Sequence, residues 1–409
     1  MRIALFSTIL IAITACDRQV VTQLSECQRS QGANEVYLTK AKSDLAQCEQ
    51  KIAVLEEQLK TAQDDLSAAR NSANQFDNSL PEYFNTKGGR KKAAMAGGTL
   101  RIGLSLPTHQ EERWIKDKLT ILAEGRKRGF EILVQVSDND AVKQAAQCDS
   151  MIAQRIKVLI LAPVNADSAA AIIDRSVKAG VHVISYDRLV TNSPHEYYYL
   201  SFDNVRVGAI QGEFITRKAR RGNYVVLAGS PTDNNAKLLK LGSMKFIQPL
   251  VDRGNIKIVL SESVKDWRPD EAQRLCEHAI EITKGKINAV LAPNDGTAGG
   301  CIKALAAHGL AGKVPITGQD ADLAAAIRIL QGTQSMTVFK DTRLLGKRAV
   351  EMAFDLFRGR SVETRGRTIF NNKRQIPAVL LSPRLVTKDN LNELLIRSGY
   401  LNKEAVYRR

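Results

Sequence analysis

The sequence predicts an α/β protein of two lobes, each a doubly wound parallel sheet, preceded by a coiled-coil helix. Three observations predict this. From residue 99 onward, short apolar runs alternate with amphipathic stretches. Strand, helix, strand at such spacing means parallel sheets joined by crossover helices. The number of these runs is enough for two lobes rather than one. Ahead of them, residues 38–73 carry an unbroken heptad. A length of 409 residues allows two or three domains, at about 100–200 residues each.

Residues 1–15 read as an export signal: Arg2 supplies a minimal positive charge and an apolar stretch follows. The stretch is too short to be a stop-transfer helix. Its end, Ile13-Thr14-Ala15-Cys16, resembles a lipobox. That resemblance implies cleavage before Cys16, lipidation of its thiol, and a chain anchored to a bacterial membrane without spanning it. A plain signal with a nearby cysteine is the alternative. Residues 16–37 would be a tether. Between residues 38 and 73, one seam runs Leu38, Leu45, Ile52, Leu59, Leu66, Ala73 and the other Ala41, Cys48, Leu55, Ala62, Ala69. This is a coiled-coil stalk. It is expected to form a homodimer, with Cys48 facing its twin in a parallel pair; a single helix lying on the globular part is the alternative. Residues 74–98 lose periodicity and contain Pro81, Gly88, Gly89, Gly97 and Gly98, so they read as a flexible linker.

Composition bounds the rest. Hydrophobic residues are 44% and charged residues 25%, which excludes wholesale disorder. No internal apolar run approaches the ~20 residues of a spanning helix. The net charge is +16, and residues 1–98 hold 12 basic and 11 acidic side chains, so the excess lies beyond them. No arginine-rich arm or aromatic-basic motif accompanies it, so it reads as an ordinary basic surface without nucleic acid as a partner. The six cysteines, Cys16, Cys27, Cys48, Cys148, Cys276 and Cys301, form no C-x-x-C pair. A zinc ribbon is therefore not expected. Which of them pair stays open. His109, His182, His195, His278 and His308 share no metal-like spacing, and neither metal nor cofactor is implied.

The expected strands are 101–106, 131–136, 158–161, 182–186, 224–228, 257–261, 289–292, 315–318 and 335–339. In doubly wound sheets ligands sit beyond the carboxyl ends of the strands. Those ends carry Arg113-Trp114, Asp187-Arg188, Asp233 and Asn235, Trp267, Asn294-Asp295, Asp320 and Lys340. The only two tryptophans of the chain are among them. Carboxylates and amide oxygens accept hydrogen bonds, while Arg, Lys and amide nitrogens donate. Indole rings lie flat on apolar C–H faces. A neutral polyol, such as a sugar, needs that mixture. Other readings exist for each residue. Asp187-Arg188 could be a strand-end ion pair, Asp233, Asn235 and Asn294 could cap helices, the tryptophans could be core, and Lys340 could close a hinge.

Residues 99–400 closely resemble the type I periplasmic sugar-binding proteins. The resemblance rests on ERWIKD (112–117), SYDR (185–188), SFDN (201–204), SPTDNNAK (230–237), NDGTAGG (294–300), TGQDADL (317–323) and MTVFK (336–340), in order. It extends to Asn371-Asn372 and Leu380-Leu381-Ser382-Pro383. It implies two lobes, one from residues 99–203 plus 340–365 and the other from 204–339 plus 366–385, closing over one sugar about a three-segment hinge. Residues 401–409 would be a tail. It also implies that Arg113, Asp187, Arg188, Asn235, Asn294, Asp320 and Lys340 bond a pyranose, that Trp114 and Trp267 sandwich it, and that Asp233 and Asp295 stand adjacent. Ile115 departs from the polar residue expected after the ERW run. The implied function is a non-enzymatic, periplasmic or envelope-bound receptor for a monosaccharide, D-xylose foremost, delivering it to an ABC permease. A pentose sensor signalling to a membrane kinase or chemoreceptor is the alternative, which the stalk favours. A sugar-responsive repressor would need a DNA-binding domain where the signal and heptad stand.

Overall fold

A computed structural model describes residues 100–407. The expected signal, Cys16, the stalk with Cys27 and Cys48, and the 74–98 linker lie outside the described residues. In the first half β1 (Arg101–Leu106), α1 (Glu112–Lys127), β2 (Glu131–Val136), α2 (Ala141–Ala153), β3 (Val158–Leu161), α3 (Ala170–Lys178), β4 (His182–Tyr186) and β5 (Tyr198–Phe202) follow one another. Then come α4 (Asn204–Lys218), β6 (Gly222–Ala228), α5 (Asn234–Asp252), β7 (Ile256–Ser263), α6 (Pro269–Ile282), β8 (Ala289–Leu291), α7 (Asp295–Ala307), α8 (Leu323–Gln331) and β9 (Thr337–Phe339). The chain ends with α9 (Thr342–Phe357), β10 (Thr368–Phe370), β11 (Gln375–Leu381), β12 (Arg384–Val386) and α10 (Lys403–Tyr407).

The first lobe is built on a seven-stranded sheet in the order β10-β11-β5-β4-β3-β1-β2. β3 shows why its strands read as unbroken apolar runs. Successive side chains face opposite sides. Val158 and Ile160 enter one core cluster, and Leu159 and Leu161 another. Both faces are covered, so all four residues must be apolar. The second lobe has a sheet ordered β7-β6-β8, with Val225 and Leu227 of β6 on one face and Tyr224 and Val226 on the other. Its helices α4 and α5 cross at close range. A Cβ on Gly208 would stand 1.9 Å from the carbonyl oxygen of Leu239, so only glycine allows the approach.

Four expectations need correction. The sheets are not wholly parallel: β10 pairs with β11, and β12 with β9, in antiparallel fashion. Residues 366–385 do not belong to the second lobe. β11 adds in parallel beside β5 of the first sheet, matching Ala378 to Tyr199 and Leu381 to Phe202. Only from Arg384 does the chain join β9 on the other lobe. Residues 401–407 are not a loose tail, because Leu401 and Val406 are buried with Leu391, Leu395, Phe339 and Ile329. The expected strand at 315–318 reduces to one bridge, Ile316 to Val290. The chain thus passes between the lobes at three places: after β5, after β9 and after β11.

Cys276 of α6 and Cys301 of α7 form a disulfide, and Cys148 is a buried free thiol. Burial pushes that thiol up to about 11, which leaves it inert at neutral pH.

Candidate functional site

Twelve side chains line one small pocket at the carboxyl ends of the strands. The first lobe supplies Glu111, Arg113, Trp114, Asp187 and Arg188. The second supplies Asp233, Asn235, Trp267, Asn294, Gln319 and Asp320. Lys340 comes from the crossing after β9. Ten of the eleven residues named at the strand ends meet here. Glu111 and Gln319 were not singled out, although both adjoin motifs that were: Glu111 precedes ERWIKD and Gln319 lies inside TGQDADL. Asp295 is not in the wall. It is buried behind it, accepting from Gln334 Nε2 at 2.7 Å, Thr337 Oγ1 at 2.9 Å and the Asp322 amide at 3.1 Å, and so braces the 319–322 turn.

Local backbone structure aims these groups. Arg113 and Trp114 start α1 just after β1. Asp233 caps α5, its carboxylate accepting from the Asn235 amide at 2.9 Å. Asn294 caps α7, and its Oδ1 accepts from the Thr297 amide at 2.9 Å and the Thr297 hydroxyl at 2.7 Å. With Oδ1 spent on the cap, the amide nitrogen is the group left for a ligand. Asn235 Nδ2 reaches the Asp187 carbonyl at 3.1 Å, and its Oδ1 accepts from Asn204 at 3.0 Å. Capping and lining are thus not alternatives here.

Three wall residues stand in the left-handed region: Asp187 at φ 59°, Trp267 at φ 57° and Asp320 at φ 95°. Such conformations cost on the order of 1–3 kcal/mol for non-glycine residues and persist where surroundings impose them. For Asp187 the imposing groups are visible. Its carbonyl accepts from Ser201 Oγ at 2.7 Å, Tyr199 Oη at 3.1 Å and Asn235 Nδ2 at 3.1 Å. Trp267 needs a second allowance. A Cβ on Gly229 would lie 2.1 Å from its indole, so glycine opens the floor on which the ring rests.

The electrostatics centre on Arg113. Its guanidinium pairs with Asp187 at 2.8 Å, Asp117 at 3.0 Å and Asp320 at 3.6 Å. Lys340 Nζ lies 3.0 Å from Asp320, and Arg188 Nε lies 2.8 Å from Asp233. Burial would lower the Arg113 pKa, but its three carboxylate neighbours raise it further, so it stays charged. Burial pushes the Asp187 carboxyl up, yet Arg113, Lys340 and Arg188 together hold it below the ordinary value. For Asp233 burial outweighs Arg188, and for Glu111 burial also prevails, so both are raised. Asp117 sits behind Arg113, accepts from the Tyr186 hydroxyl, and is raised to about 6, chiefly by burial.

Trp114 is buried with the Arg113 and Arg188 guanidinium carbons 4.6 and 5.2 Å from its ring centroid. Both arginines are therefore held in part by cation–π contact. Eleven buried side-chain polar atoms among the described residues lack a hydrogen-bond partner, and six belong to the wall: Glu111 Oε2, Trp114 Nε1, Asp187 Oδ2, Trp267 Nε1, Gln319 Oε1 and Asp320 Oδ1. Of the three carboxylate atoms, Asp187 Oδ2 and Asp320 Oδ1 are within ion-pairing distance of Arg113 but not aligned for a hydrogen bond. Each unmatched buried group costs about 1–3 kcal/mol. A small ligand that both donates and accepts would relieve several at once. Among the described residues no cluster of three or more His, Cys, Asp or Glu side chains could hold a metal.

The profile of the family described as "Periplasmic binding protein domain" matches residues 102–361. The chain is 41% identical over 308 residues to the D-xylose-binding periplasmic protein of Haemophilus influenzae, covering 75% of this chain and 92% of that one. It is 38% identical over 302 residues to the D-xylose-binding periplasmic protein of Escherichia coli, covering 74% and 91%. The fold is similar to a carbohydrate-transporter solute-binding protein from Chloroflexus aurantiacus, solved with D-glucose. That likeness has a TM-score of 0.70 and 33% identity, over 75% of this chain and 98% of the other.

Proposed function

The chain belongs to the type I periplasmic sugar-binding proteins, solute receptors rather than enzymes, and on that premise we propose that its interlobe pocket takes one monosaccharide, D-xylose foremost. The observation that carries this reading is the wall itself. Donors, acceptors and two indoles converge from both lobes, and six of the buried polar atoms there have no protein hydrogen bond. A pyranose hydroxyl accepts from an arginine while donating to an aspartate. It can therefore dock beside the Arg113–Asp187 pair or the Lys340–Asp320 pair, accepting from the cation and donating to the carboxylate while the ion pair stays in place. Its C–H faces suit the indoles of Trp114 and Trp267.

Because each lobe supplies part of the wall, the sugar favours the state in which the lobes are together. Closure is a population shift whose size equals the sugar's extra affinity for the closed form. The closed receptor would hand its sugar to an ABC permease, and lipidation at Cys16 would hold it at the membrane. A sensor partner is the second reading, favoured by the heptad at 38–73 and the homodimer it could form.

The test is tryptophan fluorescence titrated with D-xylose, then D-glucose, D-ribose and L-arabinose. A saturable change with D-xylose alone supports the full reading. A response to another sugar keeps the mechanism and changes the ligand. Silence with every sugar, matched by silence in calorimetry, would sink it. In a deletion strain whose permease genes are expressed constitutively, loss of xylose uptake indicates delivery, whereas uptake that persists there but fails under native induction indicates sensing.

A further inference from the structure

We propose that the edge of the second lobe opposite the pocket is a basic face that rests on an anionic lipid surface. Strands β6, β7 and β8 are parallel, so their first residues share one edge and their pocket-bearing ends the other. β6 has seven residues, which separates the edges by roughly 20 Å at the usual rise.

Three chain segments meet at the starting edge. Arg220 and Arg221 precede β6, Arg253 and Lys257 flank the start of β7, and Lys284 and Lys286 lead into β8. Backbone pairing holds them together: the Gly222 amide donates to the Asn255 carbonyl at 2.9 Å, and Asn223 Nδ2 to the Lys286 carbonyl at 2.7 Å. All six side chains are exposed. None has an ion-pair partner among the described residues, whereas nearby Arg217 is paired with Glu213. Asp252 and Glu281 are the acidic residues in the same segments, so cations prevail there.

The geometry selects the partner. The six charges are spread over three segments, which suits an array of phosphates rather than one anion. Tyr224, the aromatic residue at the start of β6, is buried, its hydroxyl donating to the Ile215 and Ala219 carbonyls. Among the described residues these three segments thus offer no exposed ring on which single-stranded nucleic acid bases stack. Ile282, 53% exposed, stands beside Lys284 and offers an apolar contact at the headgroup boundary. Basic clusters of this size are drawn to anionic leaflets within a Debye length. Seated this way, the lobe holds its pocket edge away from the lipid, so it has to leave this seat to deliver its sugar to a permease. The inference does not rest on what the pocket binds.

The test uses the full chain and two kinds of sedimenting vesicle, phosphatidylcholine alone and an equimolar mixture with phosphatidylglycerol. Binding to the anionic vesicles should exceed binding to the neutral ones by about tenfold or more and collapse in molar salt. The combined variant R220E/R221E/K257E/K286E should lose that excess, with its thermal unfolding midpoint unchanged. The neutral set R220Q/R221Q/K257Q/K286Q serves if the charge reversals misfold. Any N-terminal lipid tether is common to all these proteins and cancels. Equal binding to both vesicles, a variant that binds like the parent, or displacement from anionic vesicles by single-stranded RNA at lower concentration than by lipid would each overturn the proposal.

Discussion

Arg188 and Asp233 stand on opposite lobes, and their Nε and Oδ2 atoms meet at 2.8 Å with both side chains buried. One follows β4 and the other caps α5, so the pair exists only while the lobes are together. Removing one partner leaves the other charge buried and unmatched, which costs on the order of 2–5 kcal/mol.

Arg188→Ala should therefore abolish measurable sugar binding while each lobe stays folded. Asp320→Ala should do the same, because it strips a partner from Lys340 and Arg113. Titration calorimetry and circular dichroism check both. Parental affinity in either variant would mean that the site has been misplaced. In a double-mutant cycle, Arg188→Ala with Asp233→Ala should cost less than the sum of the two, since the paired loss leaves neither charge stranded.

Gly229→Ala should act through Trp267. The new methyl would meet the indole at 2.1 Å, and the ring has to move. Sugar affinity should fall at least tenfold, a cost above about 1.4 kcal/mol. The emission maximum should shift as the ring leaves its buried seat. Unchanged emission and affinity would show that the floor under Trp267 is adaptable.

Acidification should stabilise the protein between neutral pH and about pH 5. Asp117 is raised to about 6 from an ordinary 3.8, chiefly by burial. The native state therefore binds its proton more readily than the unfolded chain, and stability rises as pH falls through that window. The full effect of about 3 kcal/mol is reached only below the ordinary 3.8, so about 1 kcal/mol of it falls between pH 8 and 5.5. Asp233 and Glu111 are raised by burial and add in the same direction. Asp187 has the opposite sign, but it is lowered, so its contribution is lost only below the ordinary carboxylate range. Urea midpoints measured at pH 5.5 and 8 should show the rise, and Asp117→Asn should reduce it, leaving the share of the other buried carboxyls, among them Asp295, raised to about 7 by burial. A midpoint that falls on acidification would contradict the burial argument.

Breaking the Cys276–Cys301 bond should weaken the second lobe. The bond spans a sequence separation of 25 residues, and closing a loop of that length is worth about 3.5 kcal/mol in the chain-entropy account. The paired Cys276→Ser and Cys301→Ser variant should unfold at lower urea, with faster amide exchange in α6 and α7 than in the first sheet. Equal protection in both lobes would mean that packing between these helices, not the bond, sets their stability.

The features legible in the amino-acid order were periodic or local. Apolar runs such as Val158–Leu161 marked strands because both sheet faces are covered. The short polar clusters that follow such runs marked the wall, and ten residues chosen that way meet in one pocket. Tertiary structure decided what depends on distant partners. β11 was assignable to a lobe only once its pairing with β5 was visible, because Gln375–Leu381 has no local feature naming its neighbour. The same holds for the Cys276–Cys301 pair, the clustering of unpaired cations at one sheet edge, and the left-handed backbones of Asp187, Trp267 and Asp320. Each is imposed by groups far along the chain. Periodicity records which face of an element is buried; it carries no record of what buries it.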